Sequence, residues 1–333
     1  MILAGKPLKG KELLRLKEFL RTMGLDYDEG IEYSICLLNE DLEIMGTGSV
    51  EQNVLKCIAV NPTYQGEGIA AMLLSQLVQY EFEHGRTHLF LYTKPGNLEL
   101  FRELSFYEII KTEDVLLMEN RKYGIQEYIK TIKAETPCEA LEEGKKIGAI
   151  VANCNPFTLG HRYLMEQAAL ECDYVHVFIL ADKRGTIPPE DRYRLVEEGV
   201  KDIPNIILHS ASEYLISPAT FPTYFMKEKT HARKANCKLD VRLFCEKIAP
   251  ELQIKYRFVG TEPDCRVTGD YNETLREWLP AYKITLREIE RKREKQEYIS
   301  ASRVRSLARK GDFEQIKSLV PPSTFAYLWT HQQ

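Results

Sequence analysis

Ile147-Gly148-Ala149-Ile150-Val151-Ala152 runs without a charge into Asn153-Cys154-Asn155-Pro156-Phe157-Thr158-Leu159-Gly160-His161. A short apolar run with no alternation reads as a strand buried on both faces, as parallel strands are. Pro156 restrains the turn, and helical spacing over 161–171 follows directly. The same grammar recurs downstream. Residues 174–180, 205–209, 255–260 and 282–286 read as strands, with helical stretches such as 192–200 between them. That alternation predicts an α/β domain built on a doubly wound, Rossmann-like parallel sheet, with its ligand site beyond the carboxyl ends of the strands.

The turn carries chemistry. The free N–H groups and positive dipole end of the following helix favour an anion. Gly160 has no Cβ, so a phosphate is expected to approach the backbone there. His161 offers an imidazole N–H, and Thr158 a hydroxyl, to the same ligand. A plain capped helix start explains this tetrapeptide equally well. Near the C-terminus, however, lies Ile299-Ser300-Ala301-Ser302-Arg303-Val304-Arg305. Ser300 and Ser302 are predicted to cap a short helix running to Arg309, making a second anion-binding concavity. Arg305, one turn past Ser302, aims a guanidinium fork at the same phosphates. Together, in this order, the two segments point to a site that cuts ATP between its α- and β-phosphates. Lys183, within Asp182-Lys183-Arg184 after the second strand, is a further candidate phosphate contact.

The front of the chain has a different grammar. Residues 9–23 place Leu13, Leu16, Phe19 and Leu20 on one helical face, with Gly24 as a stop. Strands are predicted at 31–38, 43–49, 54–60 and 88–92, helices at 68–83 and 98–104, and a strand pair within 106–118, which makes a compact α+β unit. Between 122 and 146 the sequence is charged and weakly patterned, with Pro137 and Gly144 as breakers. The expected organisation is a first domain over 1–125, a linker over 126–146 and an ATP-binding domain over 147–333. Gln65-Gly66-Glu67-Gly68-Ile69-Ala70 lies between a strand and a helix, where backbone N–H groups cradle a pyrophosphate and Gly66 and Gly68 allow its approach.

Bulk composition excludes several classes. The 333 residues are 44% hydrophobic and 28% charged, as in folded globular proteins. A net charge of −4 gives no general attraction to nucleic acid or anionic membrane, and neither is expected as a partner. The eight cysteines include no C-x-x-C pair, so they read as small buried hydrophobes in a reducing compartment rather than metal ligands or disulfides. The first ten residues show no signal-peptide core, and no run approaches the ~20 apolar residues of a membrane span. A cytoplasmic protein is expected. The mixed-sign run at 287–297 is predicted to form a solvated helix.

The residues now carry a resemblance. Thr158-Leu159-Gly160-His161 resembles the T/H-x-G-H motif of the nucleotidyltransferase superfamily, and Ile299 through Arg305 fits its I-S-x-S-x-x-R motif at every specified position. The resemblance implies attack on the α-phosphate of ATP. Thr158, Gly160 and His161 would contact its phosphates, and Ser300, Ser302 and Arg305 would hold the departing β,γ-phosphates. Gln65, Gly68 and Ala70 fit the Q/R-x-x-G-x-G/A motif of GNAT acetyltransferases, and Asn97 and Leu104-Ser105-Phe106 resemble that family's later helix and Gly-Phe turn. Ser105 replaces the usual Gly. Phe101 stands where many members have a Tyr that protonates the leaving thiolate, and a phenyl ring cannot do so. This domain is therefore expected to hold a CoA-like arm through Gln65, Gly66, Gly68 and Ala70, not to transfer acetyl groups from it.

Nearly the whole chain resembles the citrate lyase ligase family, including Ser217-Pro218-Ala219-Thr220-Phe221-Pro222-Thr223-Tyr224-Phe225, Val259-Gly260-Thr261-Glu262-Pro263, Val267-Thr268 and Tyr271-Asn272. The resemblance implies an AMP-forming acid–thiol ligase. Acetate is activated by ATP and Mg²⁺, with catalysis by His161 and Arg305, and transferred to the dephospho-CoA-derived arm of citrate lyase's acyl carrier subunit. Two alternatives are a nucleotide adenylyltransferase with NMN or phosphopantetheine as acceptor, and a non-catalytic acyl-CoA sensor. The intact Ser300, Ser302 and Arg305 set argues against the sensor, and the front domain against the NMN enzyme.

Overall fold

The computed structural model describes residues 1–28, 30–181, 185–215, 229–262 and 266–331. They fall into two units, the first comprising Met1–Gln126 and the described part of Pro218–Asp240. Its strands are β1 (Ile2–Gly5), β2 (Tyr33–Leu38), β3 (Ile44–Glu51), β4 (Val54–Val60), β5 (Phe90–Thr93), β6 (Tyr107–Lys111) and β7 (Leu116–Glu119), in the sheet order β1-β2-β3-β4-β5-β7-β6. Every neighbouring pair is antiparallel except β4 and β5. Those two are joined through helix α2 (Ile69–Glu83), whose Ile69, Leu73, Leu74 and Leu77 pack into the sheet's core. Helix α1 (Gly10–Thr22) buries Leu16 and Leu20, and Gly24 follows it at φ 72°.

The parallel pair opens the first unit's cleft. β4 and β5 pair only at Val54↔Phe90 and Leu55↔Leu91. Beyond those rungs, Cys57 takes φ 51° and the β3–β4 register shifts, and a bulge of this kind bends its strand away from its neighbour. The short helix α3 (Leu98–Glu103) precedes Ser105, which holds φ 65°. That left-handed conformation explains the glycine common at this turn in acetyltransferases, because a Cβ destabilises it by roughly 1–2 kcal/mol.

The second unit comprises Glu127–Ser217 and Val241–Gln333. The stretch expected as a linker contains helix α4 (Gly124–Ala134), on which Ile125 and Ile132 are buried and Tyr128 Oη donates to the Ser210 carbonyl at 2.9 Å. The spacing 125, 128, 132 is a short amphipathic signal lost among the surrounding charges. There follow β8 (Ile147–Ala152), α5 (Leu159–Glu171), β9 (Tyr174–Ile179), α6 (Pro189–Val200), β10 (Ile206–Ser210), α7 (Lys229–Leu243), β11 (Tyr256–Gly260), α8 (Arg266–Trp278) and β12 (Thr285–Ile289). All five strands are parallel, in the order β10-β9-β8-β11-β12. The chain runs outward from β8 in both directions, so β8 and β11 border the switch-point crevice. Ile150, Phe157, Met165, Val177, Val196 and Phe258 pack in the core beneath it.

Two expectations are corrected. Residues 287–297 do not form a helix; β12 runs to Ile289, and β13 (Arg293–Glu294) pairs antiparallel with β14 (Glu297–Tyr298). Ile289 is the only apolar residue in that run, so no helical face exists to bury, and Lys295 and Gln296 take φ 49° and 71° as a two-residue hairpin turn requires. Nor does all of 147–333 belong to one unit. The described part of α7 up to Asp240 goes with the first unit, where Tyr92 Oη donates to Asn236 Oδ1 and Lys238 pairs with Glu113 at 3.0 Å. Helices α9 (Ala301–Arg309), α10 (Phe313–Lys317) and α11 (Pro322–Thr330) complete the second unit.

Ser105→Gly is expected to stabilise the first unit by about 1 kcal/mol, the left-handed penalty exceeding glycine's added entropy. Denaturant unfolding checks this, and a loss of stability would contradict the strain assigned to Ser105.

Candidate active site

Helix α5 begins with a reciprocal cap. Thr158, at φ −120° and ψ 165°, accepts the His161 backbone N–H on its hydroxyl at 3.3 Å, while its own backbone N–H donates to His161 Nδ1 at 3.1 Å. Histidine thus takes the place that Glu or Gln usually fills in a capping box. Because Nδ1 accepts a hydrogen bond, the neutral imidazole carries its proton on Nε2. Desolvation, helped by the nearby Arg291 and Arg305 charges, pushes the His161 pKa down to about 4. At neutral pH the side chain is therefore an uncharged donor, oriented by the backbone. Thr158 is 1% exposed and its hydroxyl is engaged in this cap.

The C-terminal segment docks on the same turn. Ser300 is the N-cap of α9, its hydroxyl accepting the Arg303 N–H at 3.2 Å. Ser302, expected as a second cap, instead lies inside the first turn and accepts from Arg305 Nη2 at 3.0 Å. Arg305 Nη1 donates to the Asn155 carbonyl, in the loop between β8 and α5. Both recorded partners of this guanidinium are neutral, and burial beside Arg309 pulls its pKa down. A cation without a carboxylate partner among the described residues is set to attract an anion.

Gly160 has a different purpose from the one its sequence context suggests. A Cβ at Gly160 would lie 2.8 Å from the Ile299 carbonyl oxygen, so the space is taken by the second motif rather than left open. Leu159 N–H also donates to the Leu319 carbonyl at 2.9 Å, and the Leu159 side chain packs on the apolar cluster of Ile299, Val304, Ile316, Leu319 and Val320. Thr158, Gly160, His161, Ser300, Ser302 and Arg305 are thereby brought to one crevice. Lys183, the segment 217–225 and Pro263 lie outside the described residues. Sequence reasoning missed Arg291, which looked like one more surface charge, and gave no role to Glu262, its ion-pair partner.

In the first unit, Gln65, Gly66, Gly68 and Ala70 line one cleft of about 670 Å³ together with Tyr92 and Phe101. Gly66 and Gly68 take φ 90° and 76°, and Gly68 sits at the N-cap of α2, so the loop's N–H groups are placed by backbone conformations that favour glycine. Phe101 is 3% exposed, and Tyr92, whose hydroxyl is held by Asn236, has its pKa pushed up by burial.

An anion-attracting crevice at a parallel-sheet switch point, joined in one chain to a splayed-sheet cleft with a glycine-rich loop, defines a nucleotide-handling enzyme with an acetyltransferase-type front unit. Residues 147–328 match the family described as citrate lyase ligase C-terminal domain, and residues 15–108 match the acetyltransferase (GNAT) family. The chain is 40% identical, over 97% of its length and 92% of the relative's, to citrate (pro-3S)-lyase ligase of Escherichia coli (strain K12). Its counterpart in Klebsiella pneumoniae is also 40% identical, over 94% of this chain and 91% of that one. A phosphopantetheine adenylyltransferase of Staphylococcus carnosus (strain TM300) is 35% identical over 20% of this chain and 43% of its own length. The chain belongs to the citrate lyase ligase family, and it is an enzyme of the ligase class. Among the described residues no helix is long and apolar enough to cross a membrane.

Gly160→Ala is expected to destabilise the second unit by about 1–3 kcal/mol, because the new methyl meets a backbone carbonyl that cannot rotate away. Stability within about 0.5 kcal/mol of the parent would contradict the close docking of the two segments.

Proposed function

We propose that this protein uses ATP to acetylate the thiol of the dephospho-CoA-derived arm on citrate lyase's acyl carrier subunit. A carboxylate oxygen of acetate attacks the α-phosphorus, the bond from phosphorus to the bridging oxygen breaks, and pyrophosphate leaves. The thiol, losing its proton, then attacks the carbonyl carbon of acetyl-adenylate, and the bond to AMP breaks. The observation that carries this reading is the crevice where a neutral His161 Nε2–H and the uncompensated Arg305 converge.

His161 and Arg305 act by donating to phosphate oxygens as charge moves toward pyrophosphate. Ser300, Ser302 and the first turn of α9 hold the β,γ-phosphates together with Arg305. Thr158 acts through His161 by fixing its tautomer, and Gly160 by admitting the second segment. Lys183 remains a candidate phosphate contact on sequence grounds. Neither step needs a covalent side-chain nucleophile. Cys154 suits that scheme: it is fully buried, and desolvation pushes its thiol up to about 12, so it packs rather than reacts.

Mg²⁺ would be held by the phosphates of the nucleotide. When bound it neutralises the charge of the triphosphate. The first unit holds the thiol arm through the loop of Gln65, Gly66, Gly68 and Ala70, without a general acid at Phe101. The seven described cysteines are unpaired, which suits a cytoplasmic setting.

The test is ATP–pyrophosphate exchange with and without acetate. Exchange that requires acetate supports the ligase, and exchange indifferent to acetate sinks it. His161→Ala and Arg305→Ala are each expected to abolish exchange while circular dichroism shows the fold retained.

A further inference from the structure

Val259-Gly260-Thr261-Glu262 and the run at 287–297 have no part in the phosphate chemistry above, yet the fold brings them together. β11 and β12 pair in register through Val259↔Glu288 and Gly260↔Ile289. Beyond the strand ends, Thr261 N–H donates to the Ile289 carbonyl at 3.0 Å and Arg291 N–H to the Thr261 hydroxyl at 3.4 Å. The Arg291 stem passes beside Gly260, where a Cβ would lie 3.7 Å from Cγ and 3.8 Å from Nε. Its Nη2 pairs with the carboxylate of Glu262, which is 4% exposed against 25% for Arg291. Nε and Nη1 have no recorded partner among the described residues, so one edge of the fork is fixed by a buried carboxylate and the other is available.

This fork stands beside the first turn of α5. The Lys292 carbonyl accepts the Ile299 N–H at 3.0 Å, and the Ile299 carbonyl abuts Gly160, the residue before His161. Lys292 Nζ lies 5.8 Å from the ring centroid of Tyr163, two residues beyond His161. Arg291 also bears more strongly than Arg305 on the imidazole charge. Two guanidinium charges thus bear on His161 from different elements, Arg305 from α9, where it donates to the β8–α5 loop, and Arg291 from just beyond the ends of β11 and β12.

In-line displacement at phosphorus places the entering oxygen and the leaving group on opposite sides. In the ligase reading, Ser302 and Arg305 serve the leaving pyrophosphate. The entering group is itself an anion and must approach a triphosphate of the same sign, a repulsion that a cation on the entry side offsets. We infer that Arg291, oriented by Glu262, binds the carboxylate of the acyl substrate beside His161 and sets it for attack on the α-phosphorus. Glu262 is then a positioning residue, a buried carboxylate that holds the guanidinium without using its second edge.

This inference rests on the ligase reading, and one data set separates their failures. Acetate-dependent ATP–pyrophosphate exchange is measured with both substrates varied, for the wild type, Arg291→Gln, Arg291→Lys and Glu262→Gln, with thermal unfolding recorded for each. Arg291→Gln is expected to raise the KM for acetate about 10- to 100-fold, the loss of a charged hydrogen-bonded contact, with the KM for ATP within about twofold. Arg291→Lys, which keeps the charge but not the fork, should fall between, and it serves as the readout if the glutamine variant does not fold. Glu262→Gln should raise the acetate KM by a smaller factor without moving the KM for ATP. An unchanged acetate KM in the Arg291 variants, or a rise confined to ATP, overturns the inference and leaves the ligase reading standing. Wild-type exchange that ignores acetate overturns both.

Discussion

The carbonyl of Ile299 against the Cβ-less face of Gly160 is the contact on which the second unit's chemistry depends. It holds together two helix N-termini, those of α5 and α9, that lie far apart in the chain. Arg305 closes the same junction by donating to the Asn155 carbonyl and to Ser302. The outcome is a concentration of partial and full positive charge in which the Arg305 guanidinium has no carboxylate partner among the described residues, an arrangement set to attract an anion. His161 remains neutral because burial and the neighbouring Arg291 and Arg305 charges disfavour the imidazolium, while the Thr158 backbone N–H holds its Nδ1.

The first unit follows a different constraint. Its sheet is continuous except where β4 and β5 part after two paired rungs, and the cleft is the space so opened. The glycine-rich loop at its rim holds Gly66 and Gly68 at positive φ, and Phe101, buried beside the cleft, offers no hydroxyl. In the proposed reaction this unit receives the thiol arm while acyl activation proceeds elsewhere in the chain. Ser105 carries the acetyltransferase turn in a conformation that suits glycine better.

Much of this was legible in the residues. The uncharged run at 147–152, the turn at Pro156 and the helix after it define the strand–turn–helix unit with no reference to contacts. The features that escaped reading depend on distant partners. β1 is a four-residue edge strand whose half-exposed pattern has meaning only beside β2. α7 looks like part of the second half until Tyr92 and Glu113 claim its Asn236 and Lys238. The role of Gly160 was misread because a missing Cβ says that something approaches, not what does. Arg291 was hidden in a run of charges, since solvated and functional guanidiniums differ only in what the fold sets beside them.

The central claim is that the paired segments direct a carboxylate onto the α-phosphorus of ATP. The most direct measurement uses acetate labelled with ¹⁸O in both carboxylate oxygens, with ATP, Mg²⁺ and the thiol-bearing carrier, and mass analysis of the products. Attack at the α-phosphorus transfers one labelled oxygen to each AMP and none to pyrophosphate. Unlabelled AMP, or label in pyrophosphate or inorganic phosphate, would contradict the account.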